Sequence, residues 1–183
     1  MKDLEKAVEE ISISLSKLEK DREDAIRNSR EIIRLTKKAI HSIHMGEMAH
    51  DVMEELESRI ESCGESNIYQ DALGEYSEAA ILFSIMMGRD IPTFSELKIP
   101  PQAWVIGLAD SIGEIRRSIL NRLVDSDIET ALSLFSDMES MYDALMTFDV
   151  PDAILPLRRK QDIARGVMDR TRTDITTAKI MKK

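Results

Sequence analysis

From residue 2 to residue 45 the sequence contains neither glycine nor proline. A run of 44 residues without either of the two strongest backbone punctuators reads as one very long helix, or as two joined by a bend. Gly46 interrupts it. The rest of the chain is punctuated almost as sparsely, with seven Gly and five Pro in 183 residues. No segment shows strand alternation bounded by turn residues. The chain is therefore expected to be all-α: a bundle of about seven long antiparallel helices, one domain over residues 1–183, large enough for a full core.

The boundaries follow from local chemistry. A second helix is expected over about 47–61, with Gly64 as its C-terminal cap. Ser66 or Asn67 can cap a third helix running to about Met87, with Gly88 behind it. Thr93 and Glu96 form a capping box that suggests a short helix before "KIPPQ". Pro101 suits the first turn of a helix to about Asp125. A second box, "SDIE" at 126–129, starts a helix to about Thr147, and the last helix runs from about Leu157 to the end.

No apolar run approaches the ~20 residues of a membrane span, and the N-terminus has no apolar signal-peptide core. Cys63 is the only cysteine, which fits a reducing cytoplasm. Net charge is −9, yet it is unevenly spread. Residues 26–45 hold five Arg or Lys against one Glu, and residues 151–183 hold nine against four Asp. Local fields steer a ligand more than the total does.

Two carboxylate pairs stand out. Glu75 and Glu78 open "EYSEAAILFSIMM", whose only polar side chain from Ala79 to Met87 is Ser84. A helix apolar all round is buried. The glutamates either sit at the end of that buried segment, repelling each other one turn apart, or mark where the helix emerges into water. In "GLADSIGEIRR" (107–117), Asp110 and Glu114 share a side with Arg117 and Asn121, opposite Leu108, Ile112, Ile115 and Ile119. Alone that reads as an ordinary polar face. Gly107 and Gly113 complicate it, because each costs roughly 1 kcal/mol against Ala in a helix interior; something approaches the backbone there. Four carboxylates in two helical pairs can bind Mg²⁺ or Mn²⁺, ions that activate water and neutralise charge in displacements at phosphorus. No His lies three residues after a Glu, so a di-iron bundle is set aside.

Arg27, Arg30, Arg34, Lys37, His41 and His44 fall within about 100° of one another on the first helix. Such a row can track a phosphate backbone, or it can be a solvated face. Arg158, Arg159, Lys160, Arg165 and Arg172 form a second cationic helix, without aromatics for base stacking.

These residues, in this order, resemble the translin family, comprising translin and translin-associated factor X (TRAX). "IHSIHMG" (40–46) resembles the family's His-x-Gly at the end of its first long helix. "EYSEA" (75–79) resembles the TRAX "EYVEA", and "GLADSIGEIRR" the TRAX "GVADLTGELMR". "SDIETALSLFSDMESMYDAL" (126–145) and "RKQDIARGVMDRTR" (159–172) follow the family's later helices. The resemblance implies a seven-helix protomer assembled into a closed, octamer-like shell that binds RNA or single-stranded DNA. TRAX is the Mg²⁺-dependent endoribonuclease subunit, and its catalytic, metal-holding carboxylates match Glu75, Glu78, Asp110 and Glu114. This chain thus resembles TRAX rather than translin. It departs from the pattern at Ala103-Trp104, where the family has an acidic-aromatic pair, and in a shorter 88–101 loop, which fits a chain assembling with itself. The expectation is a cytoplasmic, homo-oligomeric, metal-dependent endoribonuclease. The alternatives are a translin-like binder without cleavage, and an all-α Mg²⁺-dependent nucleotide pyrophosphatase.

Overall fold

A computed structural model describes residues 2–64 and 66–181. The Gly- and Pro-free run forms a single helix, α1 (Lys2–His44). It is followed by α2 (His50–Glu61), a short 3-10 turn (Asn67–Tyr69), α3 (Gln70–Met86), α4 (Pro101–Val124), α5 (Ile128–Met146) and α6 (Arg158–Met181). All regular structure among the described residues is helical, and none of these helices is long and apolar enough to cross a membrane.

The helix ends are set by backbone hydrogen bonds. After α1 and α3, Gly46 and Gly88 take φ of 71° and 64°. The amides of Glu47 and Arg89 then reach back to the carbonyls of Ser42 and Ser84, the Schellman closure that a left-handed glycine permits. Gly64 plays no such part; Ser62 caps α2 in a right-handed conformation. Among the described residues six α-helices form where seven were expected, and the missing one is the Thr93–Glu96 box. Its reciprocal bonds are made, Thr93 N donating to Glu96 Oε2 at 2.7 Å and Glu96 N to Thr93 Oγ1 at 3.2 Å. The chain then turns out through Lys98 at φ 56°, ahead of Pro100 and Pro101, which restrict the residues before them to extended geometry. The later box is displaced by one residue. Asp127, not Ser126, caps α5 by accepting from Thr130 N at 3.1 Å, while Ser126 at φ 62° closes α4.

α4 is the central element, packed against α3, α5 and α6, while α1 packs on α2 and α3. Two cores result. One gathers Ile81, Leu82, Ile112, Ile115, Met138 and Leu145 around α4. The other gathers Ile32, Leu35, Leu56, Tyr76 and Ala79 under α1 and α2. Ile40, Phe83 and Trp104 border both.

The first half of α1 takes no part in either. Residues 8–24 are all exposed, as are 3–6, and at 1.5 Å per residue this arm is about 33 Å long. Leu4, Val8, Ile11, Leu15 and Leu18, at spacings of four and three, stand 58–64% exposed on it. The same spacing continues through Ala25, Ser29, Ile32, Thr36, Ala39 and Ile43 into the core-facing seam of α1.

Candidate functional site

The site begins with a close crossing of α3 and α4. Gly107 is packed so tightly that a side chain there would collide with Ser77 and come within 2.6 Å of the backbone nitrogen of Glu78. Gly74 is the lesser counterpart on α3, where a Cβ would stand 3.2 Å from Ile106. Ser77 and Ser111 are buried between the helices, and Ser111 donates to the Gly107 carbonyl within α4. This resolves half of the glycine puzzle. Gly107 is needed for helix contact, whereas a Cβ on Gly113 would meet nothing within 4 Å.

The tight crossing brings the two carboxylate pairs together. Glu75 and Glu78 are half-buried. The Glu78 carboxyl is pushed up to about 8, first by burial and then by the negative charges of Asp110, Glu75 and Glu114. Asp110, one turn beyond Gly107, is held from α6: Lys160 Nζ donates to both of its oxygens, at 2.6 and 2.7 Å. Glu114 is held from α1: His44 Nε2 lies 2.5 Å from its Oε2, with Arg117 3.8 Å away. The His44 bond, more than the charges of His44 and Arg117, keeps the Glu114 carboxyl below its ordinary value.

The donor chemistry fits a hard divalent cation, since the converging groups are carboxylates and a cationic ammonium already stands on one of them. In the present side-chain positions Asp110 faces Lys160 and Glu114 faces His44. Among the described residues, no three His, Cys, Asp or Glu groups come together as a metal cage. Holding a metal would take Glu75, Glu78 and Asp110, with Glu114 kept in place by His44.

The cationic residues divide. Arg27, Arg30, Arg34, Lys37 and His41 are exposed along one side of α1. Arg34 is bridged to Glu31 at 2.6 and 2.8 Å, and Arg27 lies 3.6 Å from Asp24. His44, expected on this stripe, turns inward to Glu114 with a side chain only 2% exposed. The stripe therefore ends at the carboxylates. On α6, Arg158, Arg159, Arg165 and Arg172 face solvent. Arg165 pairs with Asp162 and Arg172 with Glu139, each at 2.8 Å. Lys160, grouped with them by sequence, turns into the carboxylate site instead.

No protein-family model matches the sequence. An uncharacterised protein of Methanocaldococcus jannaschii is 34% identical over 167 residues, 85% of this chain and 75% of that protein. The archaeal AfC3PO, of translin/TRAX type, superposes with a TM-score of 0.85 at 33% identity, covering 95% of this chain and 97% of the other. The chain belongs to the translin family. AfC3PO has also been solved in a complex with duplex RNA, and that structure matches with a TM-score of 0.83 at the same identity and coverage. NeC3PO, at 24% identity, shares the fold with a TM-score of 0.86 over 93% of this chain and 96% of its own.

Three parts of this translin-family site were beyond reach of sequence reasoning. Arg59 of α2 joins Arg27, Arg30 and Arg34, together with the acids Glu23, Asp24 and Glu31, in lining a groove of about 830 Å³ beside α1. The other two are the bonds of His44 and Lys160, which link residues 70 and 50 positions apart. The only local sign was that both are basic residues placed at helix ends.

Proposed function

We propose that this translin-family chain is a Mg²⁺- or Mn²⁺-dependent endoribonuclease of the TRAX kind, acting in the cytoplasm as a homo-oligomer with its sites inside an octamer-like shell. One observation carries the reading: Glu78 is half-buried with Asp110, Glu75 and Glu114 near it, and burial first, then those negative charges, raise its carboxyl to about 8. A fold does not hold such a cluster for stability. Uncompensated carboxylates repel, and sites of this kind are where function is concentrated.

Glu75, Glu78 and Asp110 would hold the cation, and Glu114 would complete or orient the set. The bound cation would activate water and neutralise charge developing on the phosphate. To join that set Glu78, whose carboxyl is raised to about 8, would have to release its proton to solvent. His44 fixes Glu114, and Arg27, Arg30, Arg34, Lys37 and His41, with Arg158, Arg159, Arg165 and Arg172, position the backbone of RNA or single-stranded DNA. Assembly is supported by the α1 arm, whose five exposed aliphatics form an apolar patch of a kind monomers rarely show.

A second reading keeps the fold and the RNA but omits cleavage. It is favoured by the Lys160 and His44 bonds, which satisfy Asp110 and Glu114 without any metal. Labelled RNA incubated with Mg²⁺ separates the two. On the nuclease reading, cleavage is abolished by EDTA and falls at least about 100-fold in Glu78→Gln and Asp110→Asn, the upper end of what losing a merely supporting partner costs. RNA that binds and stays intact in Mg²⁺ identifies a binder. Hydrolysis of free nucleoside triphosphates in preference to RNA identifies a pyrophosphatase.

A further inference from the structure

Lys160 is the inward-facing member of the triplet Arg158-Arg159-Lys160 at the start of α6; its neighbours are exposed. Its ammonium chelates both oxygens of Asp110, with the Lys160 side chain 32% exposed and Asp110 39% exposed. The ammonium takes one lone pair on each oxygen and occupies the space in front of the carboxylate, so a divalent cation approaching from that side meets a like charge. Lysine is suited to a temporary role of this kind. Its charge is compact and rides on a flexible four-carbon stem, so it can leave and settle again within a few ångströms.

We infer that Lys160 is a resident counter-ion on Asp110 that a divalent cation must displace, and that its freed ammonium then contacts a phosphate of the bound RNA. This rests on the metal-dependent reading and adds to it a residue and an order of events. Without metal, Lys160 offsets the charge of Asp110 beside Glu75, Glu78 and Glu114, keeping the cluster tolerable inside the fold. On loading, like charge repels the ammonium from the metal position, and a phosphate oxygen is the nearest kind of anion the substrate brings. Lys160 would thus be a competitor for the metal and a ligand for the substrate, while Arg158 and Arg159 remain outside.

The test is Mn²⁺ titration by calorimetry, without RNA, on the full chain and on Lys160→Met, Lys160→Arg and Asp110→Asn. If Lys160 covers Asp110 for roughly nine-tenths of the time, apparent metal affinity is lowered by the competent fraction. Lys160→Met should then bind Mn²⁺ about tenfold more tightly. Lys160→Arg, whose planar fork suits a carboxylate better, should bind no more tightly than the wild type. Circular dichroism checks that each variant is folded, and Lys160→Gln replaces the Met variant if it is not. In the metal-loaded state Lys160→Met should bind RNA several-fold more weakly in spite of its tighter metal. Wild-type Mn²⁺ binding with no gain in Lys160→Met overturns the inference alone. Absence of Mn²⁺ binding in every variant overturns both the inference and the metal-dependent reading.

Discussion

Gly107 of α4 lies directly on Ser77 of α3, and the space between the two helices at that point is too small for a methyl group. The carboxylates depend on this contact, because Glu78 follows Ser77 and Asp110 lies one turn beyond Gly107. Gly107→Ala should cost about 1–3 kcal/mol through overpacking, offset by up to about 1 kcal/mol of helix propensity. Gly113→Ala should instead stabilise by about 0.5–1 kcal/mol, since nothing lies within 4 Å of the added carbon. Urea unfolding of the two variants measures both. A Gly107→Ala protein as stable as the wild type would show that the helices do not approach this closely.

The Glu78 carboxyl sits above its ordinary range, at about 8. The native state therefore binds that proton more tightly than the unfolded chain does, and stability falls as pH rises from about 4.5 to about 8. Glu114 acts in the opposite sense. Its lowered carboxyl contributes stability that is present above the ordinary carboxylate range and is lost as acid protonates it. Glu78→Gln removes only the first effect. Its melting temperature relative to wild type should rise between pH 5 and about pH 8 in metal-free buffer and level off above that, and saturating Mn²⁺ should raise the wild type at pH 8 more than the variant. A difference independent of pH would mean that Glu78 is ionised and solvated in the folded protein.

The helices were legible because their signals are local. A Gly- and Pro-free run, Gly88 behind an apolar stretch and Pro101 at a first turn each act through their own backbone. Boundaries failed where two local rules competed. Ser126 and Asp127 can both cap α5, and the choice was decided by Ser126 being needed to close α4. The Thr93–Glu96 box was read correctly as a hydrogen-bonded unit but not as a helix, because a cap does not supply the turns that must follow it. In the site, periodicity placed Glu75 with Glu78 and Asp110 with Glu114. It could not give the distance between the pairs, which Gly107 sets. It also treated every cation on a stripe alike. The inward turn of His44 and Lys160 depends on where α4 lies, which is tertiary information. The arm of α1 was hidden for the reverse reason: its apolar spacing matches that of the buried half, so nothing in the sequence marks where the core ends.

That arm makes a separate prediction. Ile11 and Leu15 lie near the middle of the exposed seam, 58% and 59% accessible. Replacing both with Glu should not unfold the chain, because neither touches its core, and helical content should be unchanged by circular dichroism. It should convert the assembly to smaller species by light scattering, since a buried interface would have to accept two charges. A wild-type chain that is monomeric at micromolar concentration would remove the assembly from the proposed function, and an unchanged mass for the double variant would move the interface elsewhere.

RNA affinity and cleavage should be separable, and the stripe on α1 provides the means. Arg30 and Lys37 carry no ion pair among the described residues, whereas the guanidinium of Arg34 is already bridged through two bonds to Glu31. Counter-ion release counts only charge that is available to phosphate. Arg30→Glu with Lys37→Glu should weaken binding across RNA sequences and reduce the log–log salt slope by about 0.7–0.9 for each lost contact. Arg34→Ala should change the slope less, because removing it also frees Glu31 from its partner. Asp110→Asn should abolish cleavage without flattening the slope, since Asp110 pairs with Lys160 inside the carboxylate cluster and not with the stripe; a freed Lys160 adds a phosphate contact and does not remove one. The measurement is RNA affinity at several salt concentrations beside a cleavage assay for each variant. A salt slope that survives loss of Arg30 and Lys37 would make the stripe a solvated face and shift RNA binding to Arg158, Arg159, Arg165 and Arg172 of α6.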